Sequence, residues 1–163
     1  MHIRFAQASD VSTIKAFIQA LADYEKLPDE MIATDDDLLV SLFGDTPQAE
    51  VLLLENNAEP KGFALFFHNY STFLGRRGLY LEDLFVLPEA RGLGYGKALL
   101  AKLAQIALER ECGRMEWSVL DWNKPAIDFY QSIAAKAMNG WTVNRLTQNE
   151  MQDLVNSQLN LLD

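Results

Sequence analysis

Apolar residues recur along this chain with two distinct periods, and the switching between them predicts an α/β domain. Residues 2–6 alternate, with Ile3 and Phe5 on one face, which predicts a short strand. Val11, Ile14, Phe17, Ile18 and Leu21 then fall at helical spacing, with Ser9 or Asp10 as the cap and Pro28 marking the end. Thr34, followed by Asp35, Asp36 and Asp37, starts a second helix with acids at the positive end of its dipole. Two strands, 50–55 (EVLLLE) and 61–69 (KGFALFFHN), flank turn residues 56–60 and predict a hairpin. Residues 79–87 (LYLEDLFVL) predict a strand with two acids in its middle, stopped by Pro88. A glycine-rich turn leads into a helix over about 94–111, whose apolar positions include Leu99, Leu100, Leu103, Ile106 and Ala107. A strand over 115–119, a short helix over 124–133 and a late strand over 141–146 follow. Thr147 and Glu150 have capping-box spacing for a last helical turn. The order is β-α-α-β-β-β-α-β-α-β, which implies a mixed sheet.

Composition narrows this picture. No repeat and no Pro/Gly/Ser linker divides the 163 residues, so a single domain over 1–163 is expected. Apolar residues make up 49% and charged residues 23%, enough for a substantial core. The single cysteine, Cys112, rules out an intrachain disulfide and fits a reducing compartment. The first ten residues lack the apolar centre of a signal peptide, and the apolar runs fall short of a membrane span of about 20 residues. A cytoplasmic protein, with no membrane partner, is expected. His2, His68 and Cys112 are isolated from one another, so no metal and no covalent intermediate are expected. The net charge of −9 argues against a nucleic-acid partner. It permits attraction of a cationic substrate, although acidity also serves solubility alone.

The sharpest local signal is Arg91-Gly92-Leu93-Gly94-Tyr95-Gly96, placed between a strand and a helix. Glycines at these spacings let the backbone turn tightly and direct several N–H groups into one concavity. The helix that starts there adds the positive end of its dipole, which suits a diphosphate. A dinucleotide fold would place its third glycine one residue later and its loop after the first strand. A P-loop would follow Gly96-Lys97 with Ser or Thr, where this chain has Ala98. A turn that merely joins strand to helix has less need of three glycines and an arginine.

The loop resembles the R-G-x-G-x-G/A diphosphate loop of the GNAT superfamily of acetyltransferases. Residues 79–86 ahead of it and 121–130 (DWNKPAIDFY) after it are similar to the diamine and thialysine N-acetyltransferase branch. So are 21–25 (LADYE) and Gly140-Trp141, and the match runs over about residues 3–146. The resemblance implies a GNAT fold: a mixed central sheet of about six to seven strands flanked by about four helices. It implies acetyl-CoA as cosubstrate and direct transfer to a primary amine. The acceptor would be a diamine, a polyamine or a thialysine-like amino acid, and the protein a homodimer.

Residue roles carry over by position. Glu82, next to the splay at which the family admits acetyl-CoA, corresponds to the general base, and its place beside Asp83 within an apolar strand suits that chemistry. Leu84, Phe85 and Val86 correspond to the backbone that supports the reacting carbonyl. Arg91, Gly92, Leu93, Gly94, Tyr95, Gly96 and Lys97 would hold the diphosphate. Asn123, Lys124, Pro125 and Ala126 would line the pantetheine channel. Tyr130 corresponds to the acid that protonates the leaving thiolate, although in isolation it reads equally as a core aromatic beside Phe129. Tyr24, Glu25, Glu82 and Asp83 would hold the cationic acceptor, and Glu116, Trp117 and Ser118 would line its pocket. Trp117 also reads as a core residue, and Tyr24-Glu25 also as a solvated helix end. A peptide N-acetyltransferase or a non-catalytic acyl-CoA-binding module remain alternative functions.

Two departures stand out. Polyamine acetyltransferases carry an acid where Ser71 follows Tyr70, and losing it weakens the case for a long polyamine. The nearby Arg76 and Arg77, read as a turn bounded by Gly75 and Gly78, either meet a substrate carboxylate or form an exposed basic turn. Ala134 stands where the family has glycine, which alanine fits only if that position is not left-handed. In the tail, 151–163, Leu154, Leu159, Leu161 and Leu162 are suited to pack at an interface or on the same chain.

Overall fold

Val51, Leu52, Leu53 and Leu54 are all buried, which requires cover on both faces of their strand. The computed structural model shows how, and describes residues 1–162, with side chains described through Ser157. The chain divides into two compact units, Met1–Asp121 and the part from Trp122 onward.

The first unit holds five strands side by side in chain order: β1 (His2–Phe5), β2 (Glu50–Asn56), β3 (Glu59–Ser71), β4 (Arg76–Val86) and β5 (Met115–Trp117). Neighbours are antiparallel except β4 and β5, which are parallel. Parallel neighbours need a crossover, and helix α3 (Tyr95–Glu109) lies in that connection. Helices α1 (Val11–Glu25) and α2 (Asp35–Phe43) bury Ile14, Phe17, Leu21, Leu38 and Leu42 against Val51, Leu53, Phe63 and Phe85. The Phe17 and Phe63 rings stack with centroids 5.6 Å apart. α3 packs against β2, β3 and β4, and its Leu99, Leu100, Leu103 and Ile106 are buried. Each such large side chain stabilises the fold by roughly 1.5–3 kcal/mol on burial.

Local chemistry sets several boundaries. Thr34 Oγ1 accepts the Asp37 N–H at 3.1 Å, capping α2 as its sequence requires. α1 ends on Lys26 at φ +63°, two residues before Pro28. The β2–β3 turn is tighter than expected, with Asn57 and Ala58 both at positive φ, as a two-residue hairpin demands. The β3–β4 turn lies at residues 72–75, so Arg76 and Arg77 open β4 instead of forming the turn.

The second unit contains α4 (Lys124–Ser132) and α5 (Gln148–Leu162). The α/β class and mixed sheet are as expected, with five strands and five helices among the described residues. The late strand expected over 141–146 does not form. Trp141 and Val143 are 77% and 83% exposed, and no strand pairs with that segment; without a ladder partner an extended segment is not a strand. The last helix is far longer than one turn, and the Thr147 N–H donates to the Glu150 carboxylate at 2.6 Å. Leu154 is exposed, while Leu159, Leu161 and Leu162 lie outside the described side chains.

Candidate active site

The acidic strand β4 changes character halfway along. Its pairing with β5 covers only Leu79, Tyr80 and Leu81, opposite Met115, Glu116 and Trp117. β4 then continues through Glu82 to Val86 with no described strand on that edge. Backbone N–H groups on the open edge have no ladder partner among the described strands. On the other edge the register with β3 shifts: Leu65 pairs with Asp83, but Phe66 pairs with Leu81. Glu82 is therefore the extra residue of a β-bulge, a device that bends a strand and re-aims a side chain. Glu82 is exposed, Phe85 is buried, and Leu84 and Val86 are half-buried.

Three carboxylates meet here. Burial, then the charges of Glu82 and Glu25, push Asp83 up to about 6. Burial also raises Glu25, which ends α1 beside Tyr24. Such a group is short of positive charge, which an alkylammonium would supply.

The glycine loop adjoins this cluster through Arg91. Arg91 Nε donates to the Val86 carbonyl at 3.0 Å. Its guanidinium lies over the Tyr24 ring at 4.8 Å and the Phe85 ring at 5.6 Å. Arg91 thus ties the loop to α1 and to the open stretch of β4. Gly92 and Gly94 take φ of +78° and +81°, a region costly for other residues. A Cβ at Gly92, Gly94 or Gly96 would meet nothing within 4 Å, so the backbone faces open space. Gly94 caps α3 with no side-chain hydrogen bond, and no acid occupies the first turn of α3. The N–H groups of Tyr95, Gly96 and Lys97 have no intrahelical acceptor, so the residues present fit a diphosphate. Leu93 is 64% exposed at the loop tip.

Other expected residues have defined partners. Glu116 Oε2 accepts from Arg114 Nε at 2.8 Å and from Asn69 Nδ2 at 3.1 Å. Trp117 is half-buried, not core. Ser118 Oγ lies 2.9 Å from the Tyr80 hydroxyl. Ser71, 4% exposed, accepts the Leu74 N–H and an Arg114 N–H, so it serves the β3–β4 turn. In the second unit, buried Asn123 accepts the Ala126 N–H at 3.4 Å and caps α4, with Pro125 in the first turn. Lys124 pairs with Asp128. Tyr130 is half-buried on α4, its ring 5.5 Å from that of Phe129. Ala134 is left-handed at φ +65°, so alanine does occupy the strained position.

Sequence reasoning missed the bulge at Glu82 and the stacking of Arg91 on Tyr24. Only the acid pair inside an apolar strand hinted at the first. Among the described residues no three His, Cys, Asp or Glu side chains are placed to hold a metal, and no helix is long and apolar enough to cross a membrane.

Comparison with known proteins places this geometry. The model of the Acetyltransferase (GNAT) family matches residues 15–134. The chain is 37% identical to thialysine N-epsilon-acetyltransferase of Bos taurus, over 93% of this chain and 95% of the relative. It is 31% identical to L-ornithine N5-acetyltransferase of Arabidopsis thaliana, over 92% of this chain and 86% of the relative. Among solved structures, an integron cassette protein from the mobile metagenome of V. cholerae superposes with a TM-score of 0.80 at 25% identity, covering 94% of this chain and 96% of that one.

Proposed function

Because this chain belongs to the GNAT acetyltransferase family, a family of acetyl-CoA-dependent enzymes, we propose that it moves the acetyl group of acetyl-CoA directly to a primary amine of a small cationic acceptor. The observation that carries this reading is the meeting of Glu25, Glu82 and Asp83 where β4 opens beside the glycine loop. Gly92 through Lys97 bind the diphosphate with backbone N–H groups, and Asn123 to Ala126 flank the pantetheine arm. The open β4 edge, Leu84 to Val86, donates to the thioester oxygen as it gains charge. Glu25 and Asp83, with Tyr24, hold the ammonium. Glu82, exposed on its bulge, takes the proton that the amine must lose to attack, and Tyr130 returns one to the thiolate.

Acceptor classes in view are diamines, polyamines and thialysine-like amino acids. Amino acids with a distal amine are favoured. Ser71 brings no carboxylate to anchor a long polyamine, and relatives of similar length are named for thialysine and ornithine. Rates measured with acetyl-CoA against putrescine, spermidine, thialysine, ornithine and a lysine peptide test this; transfer to the peptide alone would overturn it. The two units form one catalytic domain in this reading, since the family match crosses Asp121. We also read the protein as a cytoplasmic homodimer, supported by the exposed Met138, Trp141 and Val143; sedimentation equilibrium giving a monomer would remove the dimer.

A further inference from the structure

The reaction leaves unused a cleft of about 540 Å³ lined by Tyr70, Gly75, Arg76, Arg77, Arg110 and Glu111. It lies where the β3–β4 hairpin meets the C-terminal end of α3. The register sets Tyr70 opposite Arg77, and Arg110 caps α3. Arg110 pairs with Glu50 through both Nη atoms. Arg76 and Arg77 are exposed and have no carboxylate in ion-pair reach among the described residues. The cleft therefore keeps a net positive charge in a chain of net charge −9.

Two further features lie in or beside the cleft. His68, two residues before Tyr70 and on the same face of β3, has a buried Nε2 with no hydrogen-bond partner. Burial first, then Arg110 and Arg77, lowers its imidazole from the usual histidine range, against a smaller opposing effect of Glu50. A buried polar atom left unpaired costs about 1–3 kcal/mol. Glu111 sits at φ +56°, where a helix end ordinarily has glycine. Such strain, of order 1–3 kcal/mol, clusters at functional sites.

We propose that this cleft binds a small, multiply charged oxyanion, a phosphate or a polycarboxylate, gripped by the guanidinium groups of Arg76 and Arg77, with Arg110 held on its wall by Glu50. Arginine forks match such oxygens in pairs. Glu111 opposes any anion, and the guanidinium groups outweigh it most for an anion of higher charge. The site is separate from the cosubstrate loop. The 15 residues of α3 put about 22 Å between its two ends. Arg77 lies five residues along β4 from Glu82, roughly 16 Å away. The cleft lies at the start of β4, away from Glu82, and its occupant is an effector and not the acetylated amine.

Calorimetric titration of the full chain at low salt with inorganic phosphate and with citrate tests this. The glycine loop is the competing anion site, so two variants separate them. Saturable binding of either probe is expected, weakened at least tenfold in the Arg76→Ala/Arg77→Ala double variant and unchanged in Gly94→Val. Preference for phosphate or for citrate identifies the ligand source. No saturation with either probe, or binding lost in Gly94→Val and kept in the double variant, would overturn the proposal. Neither result bears on acetyl transfer, which is assayed separately.

Discussion

Asp83 carries a pH dependence that follows from its surroundings. Burial and two neighbouring carboxylates raise it from 3.8 to about 6. The folded chain therefore holds this proton more tightly than the unfolded chain. Stability from this group is fully present below about pH 4 and is lost as pH rises through about 6. At 1.36 kcal/mol per pH unit, Asp83→Asn is expected to stabilise the fold by roughly 1–3 kcal/mol at pH 8 and by little at pH 4. Thermal melts at the two pH values check this. The same ionisation strengthens the hold on an ammonium, so KM for the amine falls as pH rises through about 6. That dependence flattens in Asp83→Asn, and a pH profile of KM that stays unchanged would separate Asp83 from the acceptor. Tyr130→Phe keeps the ring and removes the hydroxyl. It is expected to lower kcat about 100-fold, and full turnover would assign the final proton to another group. Glu82 and Asp83 were legible as a candidate pair in the sequence because charge inside an apolar strand is costly without a use. Their difference was not legible. One is exposed on a bulge and the other half-buried within the field of Glu25, and register alone separates them.

Helix ends are the elements where side chain and backbone chemistry meet. α3 begins at Gly94 in the left-handed region with its first-turn N–H groups uncapped. Gly94→Val places a β-branched side chain at φ +81°. It is expected to weaken CoA affinity at least tenfold in a binding titration, and to destabilise the fold by about 1–2 kcal/mol. Past the end of α4 the situation is reversed. Ala134 holds φ +65° while its N–H donates to Gln131 O at 3.0 Å. Ala134→Gly relieves that strain but loosens the unfolded chain. The net gain expected is about 0.5–1 kcal/mol, visible as a raised midpoint in denaturant unfolding. The glycine loop was readable at this scale, since its need for positive φ is local. The left-handed alanine was not, because alanine gives no warning of such a conformation.

Across the whole molecule, acidity acts at a distance. With a net charge of −9 and three carboxylates at the open strand edge, the field favours arrival of a cationic acceptor. Salt shortens the reach of that field. KM for the amine is expected to rise several-fold between about 0.05 and 0.5 M NaCl, with kcat nearly constant. A KM independent of salt would show that only local contacts hold the acceptor.

What the chain's own order of residues determined were features governed by near neighbours. Among them are the helical spacing of α1 and α3, the Thr34 cap, the apolar strands β2 and β3, and the glycines before α3. Their causes lie within a few positions of one another, so a linear reading reaches them. Tertiary structure alone decided the bulge at Glu82, the early parting of β5 from β4, the clasp of Arg91 on Tyr24 and the absence of a strand at Trp141. Each depends on which distant segment lies alongside, and pairing partners far apart in the chain are chosen by the fold as a whole.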